Sequence, residues 1–155
     1  MREAVTAYVA IGANLGDPAQ AVHDALVRIA SLPGTELIRQ SSLYRTAPVD
    51  SSGPDYVNAV AEIRTRLSAP ELLAQLQVVE HEAGRQRPYR NAPRTLDLDL
   101  LLFGDARIDS AGLQVPHPRM QQRAFVLVPL AEIAPGRVAP QLLAAVAGQG
   151  IARIE

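Results

Sequence analysis

The sequence predicts an α+β sandwich of the ferredoxin-like type, with a mainly antiparallel sheet and helices packed on it. Three observations carry that expectation. Apolar patterning switches between strand and helix periods in the order β-α-β-β-α-β, the split βαβ arrangement. Both predicted helices open on explicit capping signals. No repeat, low-complexity stretch or linker divides the 155 residues, so one domain over 1–155 is expected.

Val5 to Gly12 (VTAYVAIG) is rich in β-branched and small apolar residues and reads as a buried first strand. Asn14-Leu15-Gly16 makes a turn, and Asp17-Pro18 opens a helix with a cap residue followed by proline at the first position. Val22, Ala25, Leu26 and Ile29 recur at helical spacing until Leu32-Pro33-Gly34 closes the element. Thr35 to Tyr44 is expected to be one strand, and the prolines, glycine and serines of 46–54 a loop. Tyr56 to Thr65 alternates as a further strand. Ser68 and Glu71 form a capping box for a helix with Leu72, Leu73, Leu76 and Val79 on its apolar face, stopped at Gly84.

An arginine-rich loop over about 84–95 then feeds a strand from Leu96 to Phe103. Val115-Pro116-His117-Pro118 is a rigid loop. Arg123 to Ile133 is expected as a short helix interrupted near Pro129, and 136–155 is weakly patterned, with a helix signal at Leu142 to Ala147.

Composition narrows the function. A net charge of −1 does not indicate a broad nucleic-acid-binding surface. No apolar run approaches the roughly 20 residues that cross a membrane, and the N-terminus lacks a cleavable signal pattern. Without cysteine, disulfides and thiolate metal sites are excluded, and the cytoplasm is the expected setting. All 15 basic residues are arginine, so a P-loop lysine is excluded.

The chemistry concentrates in GRQRPYRNAPRTLDLDLLLF, Gly84 to Phe103. Asp97 and Asp99, two apart on a strand, share one face about 6.6 Å apart along the chain, while Leu96, Leu98 and Leu100 pack the other. Such a pair suits one Mg²⁺ or two ions about 3.5–4 Å apart; two solvent-facing aspartates on an open sheet are the bland reading, which strand-interior aspartate disfavours. Arg85, Arg87, Arg90 and Arg94 either close over a polyphosphate or form a solvated basic loop. Gln77 and Glu80, three apart on a helix face, read as solvent-facing polar residues, and His117 as a structural hydrogen-bonding histidine. Tyr56 and Phe125 are either core or a flat face for an aromatic ligand. Asn58, on the strand face of Tyr56, pairs a donor with an acceptor, as reading a heterocyclic amide edge requires.

AYVAIGANLGD, SSLYRTAPV, DYVNAVAEI, PRTLDLDLLLFG and VPHPRMQQRAFVLVPLAEIAP, in this order, resemble 6-hydroxymethyl-7,8-dihydropterin pyrophosphokinases of folate biosynthesis over nearly the whole chain up to about Pro135. Asn91-Ala92 stands where many members carry Trp-Gly. The resemblance implies transfer of the β,γ-pyrophosphoryl group of ATP, the co-substrate, to the pterin hydroxymethyl group, with AMP released. It implies two Mg²⁺ ions on Asp97 and Asp99. Arg85 and Arg94 fall on catalytic positions, with Arg87 and Arg90 as auxiliary phosphate contacts. Gln77, Glu80, Leu100, His117 and Arg123 fall on ATP-site positions, and Thr46, Pro48, Val49, Tyr56, Asn58 and Phe125 on or beside pterin-site positions. A monomer acting on small molecules, without nucleic acid or membrane partners, is expected. The competing readings are a D-x-D nucleotidyltransferase and a non-catalytic ferredoxin-like ligand-binding module.

Overall fold

A computed structural model describes residues 2–47, 54–84 and 96–154. Its elements are β1 (Val5–Ala13), α1 (Pro18–Ala30), β2 (Thr35–Gln40), β3 (Tyr44–Thr46), β4 (Tyr56–Thr65), α2 (Ala69–Gly84), β5 (Asp97–Phe103), β6 (Ile108–Asp109), β7 (Gln114–Val115), α3 (Ala124–Ile133), α4 (Pro140–Ala145) and β8 (Ile151–Arg153). Strand order in the main sheet is β5-β1-β4-β3-β8, with β2 also on β4, and every pairing is antiparallel. Counting β2 and β3 as one broken strand, the order and the two intervening helices are those of the ferredoxin-like split βαβ.

The helix starts follow the local code. The Asp17 carboxylate accepts from the Gln20 N–H at 3.2 Å, with Pro18 in the first turn. At α2 the Ser68 N–H donates to Glu71 Oε1 at 2.8 Å while the Ser68 hydroxyl accepts from the Glu71 N–H at 3.2 Å, a complete capping box.

Strand alternation divides β1 between two cores. Ala7, Val9 and Ile11 face α1 and α2, packing with Val22, Leu26, Ile29, Leu72, Leu76 and Leu98. Tyr8 and Ala10 face the other way, into a core with Val60, Leu127 and Leu130 of α3. The sheet is therefore covered on both faces, and the third layer comes from the chain after β7. In β5, Leu98 and Leu100 join the first core, as the alternation predicts. A bulge at Tyr8/Val9 leaves Leu101 as an extra residue, so Leu101 and Leu102 both reach the second core.

Three expectations are corrected. The strand expected over 35–44 breaks after Gln40: the Ser41 N–H donates to the Val60 carbonyl at 2.9 Å, and the Ser41 hydroxyl, in place of a carbonyl, accepts the Val60 N–H at 2.9 Å. The ladder resumes only at Tyr44. Helix α3 runs through Pro129 without interruption. Burial of Val126, Leu127, Leu130 and Ile133 against the sheet outweighs the local cost of about 3 kcal/mol for an interior proline. The C-terminal segment contributes α4 and also β8, which pairs with β3.

Glu132 of α3 holds the strand break in place. Its carboxylate accepts from the Ser42 N–H at 3.0 Å, the Ser42 hydroxyl at 2.9 Å and the Tyr44 hydroxyl at 2.6 Å, with Arg153 of β8 at 3.5 Å. Partial burial acts to raise its pKa, but the bonds from Tyr44 and Ser42 and the Arg153 charge outweigh it and leave the carboxyl below its usual 4.5. Burial, then the Glu132 bond and charge, pushes Tyr44 up to about 12. Glu132→Ala strands the Ser42 and Tyr44 donors and is expected to cost about 3 kcal/mol in urea unfolding at neutral pH. A carboxyl held below its unfolded value stabilises fully above that value and loses its contribution as pH falls through the folded one. The gap between wild-type and variant midpoints should therefore shrink as pH falls below the usual carboxylate value.

Candidate active site

Three adjacent strands bring the site together. Gly12 of β1 is the register partner of Asn58 on β4 and of Asp97 on β5. One step along, Ala10 pairs with Val60 and Asp99. Two strand spacings place the Asn58 and Asp97 backbones about 10 Å apart, with glycine and alanine between them. A side chain on that row would fill the floor of the cleft that opens there: a Cβ on Gly12 would lie 2.9 Å from Asn58 Oδ1.

The cleft has a volume of about 790 Å³, within the usual range for ligand sites. Ala10, Gly12, Asn58, Asp97 and Asp99 line it from the sheet, with Thr46 and Tyr56 beside them, and Arg123, Ala124 and Phe125 from the start of α3. Asn58 and Thr46 are 5% and 6% exposed, and the Asn58 amide donates to the Thr46 hydroxyl at 2.7 Å. That bond fixes the amide and turns its oxygen toward the floor. The Arg123 guanidinium stands 5.3 Å from the Phe125 ring centroid, a cation–π contact.

A second cleft, of about 330 Å³, shares Asp99 and is otherwise lined by Leu73, Leu98, Leu100, His117, Pro118 and the 111–114 turn. The His117 N–H donates to the Leu101 carbonyl at 3.0 Å, anchoring the VPHP loop on the bulge of β5. His117 Nδ1 accepts from the Arg119 N–H at 3.2 Å, leaving Nε2 toward Asp99 Oδ1 at 3.8 Å. Burial lowers the His117 pKa, with Arg123 and Arg119 acting the same way and Asp99 against them.

The structure thus brings Thr46, Tyr56, Asn58, Asp97, Asp99, Arg123 and Phe125 to one cleft and Leu100 and His117 to its neighbour. Gln77 is exposed on α2 and lines neither. Glu80 accepts the Leu98 N–H through Oε2 at 2.7 Å, tying α2 to β5 between the two aspartates. Pro48, Val49, Arg85, Arg87, Arg90 and Arg94 lie outside the described residues. Several lining positions escaped sequence reasoning, among them Gly12, Arg119, Gln122, Gln149 and Gly150. Gly12 was readable in principle, since glycine inside a strand often marks close approach of a ligand. Gln149, in a weakly patterned segment, carries no local signal.

Among the described residues no group of three or more His, Asp or Glu side chains is placed to hold a metal ion. Two hard carboxylates opening on a cleft fit Mg²⁺, which commonly takes one or two carboxylates, substrate phosphates and water.

Fold and cleft together define a ferredoxin-like protein with a ligand site built across an acidic edge strand and the start of a covering helix. The chain belongs to the 7,8-dihydro-6-hydroxymethylpterin-pyrophosphokinase family, whose family model matches residues 8–135. It is 47% identical over 154 residues to the 2-amino-4-hydroxy-6-hydroxymethyldihydropteridine pyrophosphokinase of Pseudomonas aeruginosa, covering 95% of each chain. The enzyme of the same name from Haemophilus influenzae is 48% identical over 137 residues, 88% of this chain and 86% of that one. Among solved structures, Plasmodium falciparum HPPK-DHPS with pterin and p-hydroxybenzoate superposes with a TM-score of 0.68 at 13% identity, a likeness of fold. The match covers 87% of this chain and 40% of that longer one.

Proposed function

We propose that the protein transfers the pyrophosphoryl group of ATP to the hydroxyl of 6-hydroxymethyl-7,8-dihydropterin, giving AMP and the pterin diphosphate, a step of tetrahydrofolate biosynthesis. It acts as a cytoplasmic monomer, with 1–155 as one catalytic domain. The observation that carries the reading is the meeting of two clefts at Asp99. A bisubstrate transfer needs two binding spaces that converge on one charged point.

The larger cleft takes the pterin. Asn58, oriented by Thr46, reads the amide edge of the ring, and Tyr56 and Phe125 supply aromatic faces. The smaller cleft, walled by Leu73, Leu98 and Leu100, takes the nucleotide base, with His117 and Arg123 toward the phosphates. Asp97 and Asp99 would hold two Mg²⁺ ions, which supply charge neutralisation at the triphosphate. Glu80, by holding the Leu98 N–H, keeps the two aspartates in their register at the sheet edge. Arg85 and Arg94 act as catalytic guanidinium groups and Arg87 and Arg90 as further phosphate contacts, while Gln77 serves the ATP site from α2. The substrate hydroxyl attacks phosphorus in line, so positioning and electrostatic stabilisation do most of the catalysis. No dedicated general base is assigned.

Incubating the protein with ATP, Mg²⁺ and hydroxymethyl-dihydropterin should yield AMP without inorganic pyrophosphate. Chelating divalent ions should stop turnover, and added Mg²⁺ should restore it. Pyrophosphate release with a nucleotidylated product would replace this reading by a nucleotidyltransferase; retained ligand binding without turnover would leave a binding module.

A further inference from the structure

Arg123 occupies the N-cap of α3, a position for which its side chain is poorly suited. Arginine has no acceptor to offer the first helical N–H groups, and its charge opposes the positive end of the helix dipole. Accordingly, no side-chain cap bond is made from Arg123. Its carbonyl accepts from Val126 and Leu127, at 3.1 and 3.0 Å. The Ala124 N–H is served from the other end of the chain: Gln149 Oε1 accepts it at 2.9 Å. The same side chain donates through Nε2 to the Gln122 carbonyl at 2.9 Å. One amide thus clasps the peptide groups on both sides of Arg123.

Gln149 is itself held from both directions. Its N–H donates to the carbonyl of Val146, a buried residue of the second core. Two residues on, Ile151 begins β8 as the register partner of Thr46. The C-terminal segment therefore braces both walls of the larger cleft, the β3 wall through Ile151 and the α3 wall through Gln149.

We propose that Gln149 is a positioning residue for substrate binding: from the far end of the chain it accepts the first N–H of α3, which the Arg123 side chain cannot accept, and so fixes the direction of Arg123 and Phe125 into the cleft. The locally unfavourable arginine is tolerated because its guanidinium is needed there, and a distant amide offsets the lost cap. This inference rests on the proposed function, through the assignment of Arg123 to ATP and Phe125 to the pterin.

The test uses Gln149→Ala and Gln149→Glu in the full chain, with KM for each substrate, kcat and thermal midpoint measured. Gln149→Ala should raise both KM values about threefold or more while kcat stays within about twofold. Gln149→Glu keeps the acceptor for Ala124 but faces the Gln122 carbonyl with oxygen, so it should fall between, and it remains informative if the alanine variant does not fold. In a Phe125→Ala background, Gln149→Ala should change the pterin KM less than about twofold, because the ring it positions is gone. Unchanged KM values in both single variants, or the same multiplication with and without Phe125, would overturn the proposal while wild-type turnover kept the function intact. A wild-type protein without turnover would instead overturn the function and this inference with it.

Discussion

Asp97→Asn and Asp99→Asn are each expected to lower turnover by about 10³-fold or more, with little change in thermal midpoint. Asparagine keeps the volume and a polar tip but removes the charge that a hard divalent cation requires. Neither carboxylate belongs to the core: Asp97 is exposed, and the Asp99 side chain is 44% exposed. What holds β5 is the burial of Leu98, Leu100 and Leu101 and the pairing with β1. Single-turnover assays at saturating ATP separate the chemical step from binding. Turnover at the wild-type level in either variant would remove the metal assignment.

Gly12→Ala should raise the KM for the pterin about tenfold or more, equivalent to about 1.4 kcal/mol of lost binding. Its methyl group would stand 2.9 Å from Asn58 Oδ1. Asn58 is buried and bonded to Thr46 at 2.7 Å, so relief of the clash requires breaking that bond and turning the amide that reads the ring. Backbone entropy acts in the opposite direction, since alanine in a strand interior is favoured over glycine by about 0.5–1 kcal/mol. The lost buried bond, at about 1–3 kcal/mol, outweighs that gain, so the expected signature is a modestly less stable variant with weak pterin binding and unaltered ATP binding. Isothermal titration with each ligand separately reads it, and wild-type pterin affinity would show that Asn58 turns at no cost.

The features legible in the sequence were those governed by neighbours along the chain. The Asp17-Pro18 start of α1 and the Ser68/Glu71 capping box are satisfied within one turn, so the residues alone specify them. The L-D-L-D-L alternation assigns one face to the core and one to the cleft because successive side chains point to opposite sides. Residues whose placement depends on distant partners were not legible. Ser41 ends a strand because its hydroxyl, in place of a carbonyl, accepts the N–H of Val60, nineteen residues away. Pro129 stays helical because the sheet packs against both sides of it in sequence.

By itself the sequence determined the split βαβ order, the two capped helices, the paired carboxylates and the likeness that pointed to pterin pyrophosphokinases. Tertiary structure alone decided that Gly12 forms the floor between Asn58 and Asp97, that α3 closes the second face, and that the C-terminal segment reaches back as β8 and Gln149. The physical reason is range. Capping and alternation are read over a few residues, whereas sheet register and packing join residues such as Thr46 and Ile151 that only the folded chain brings together.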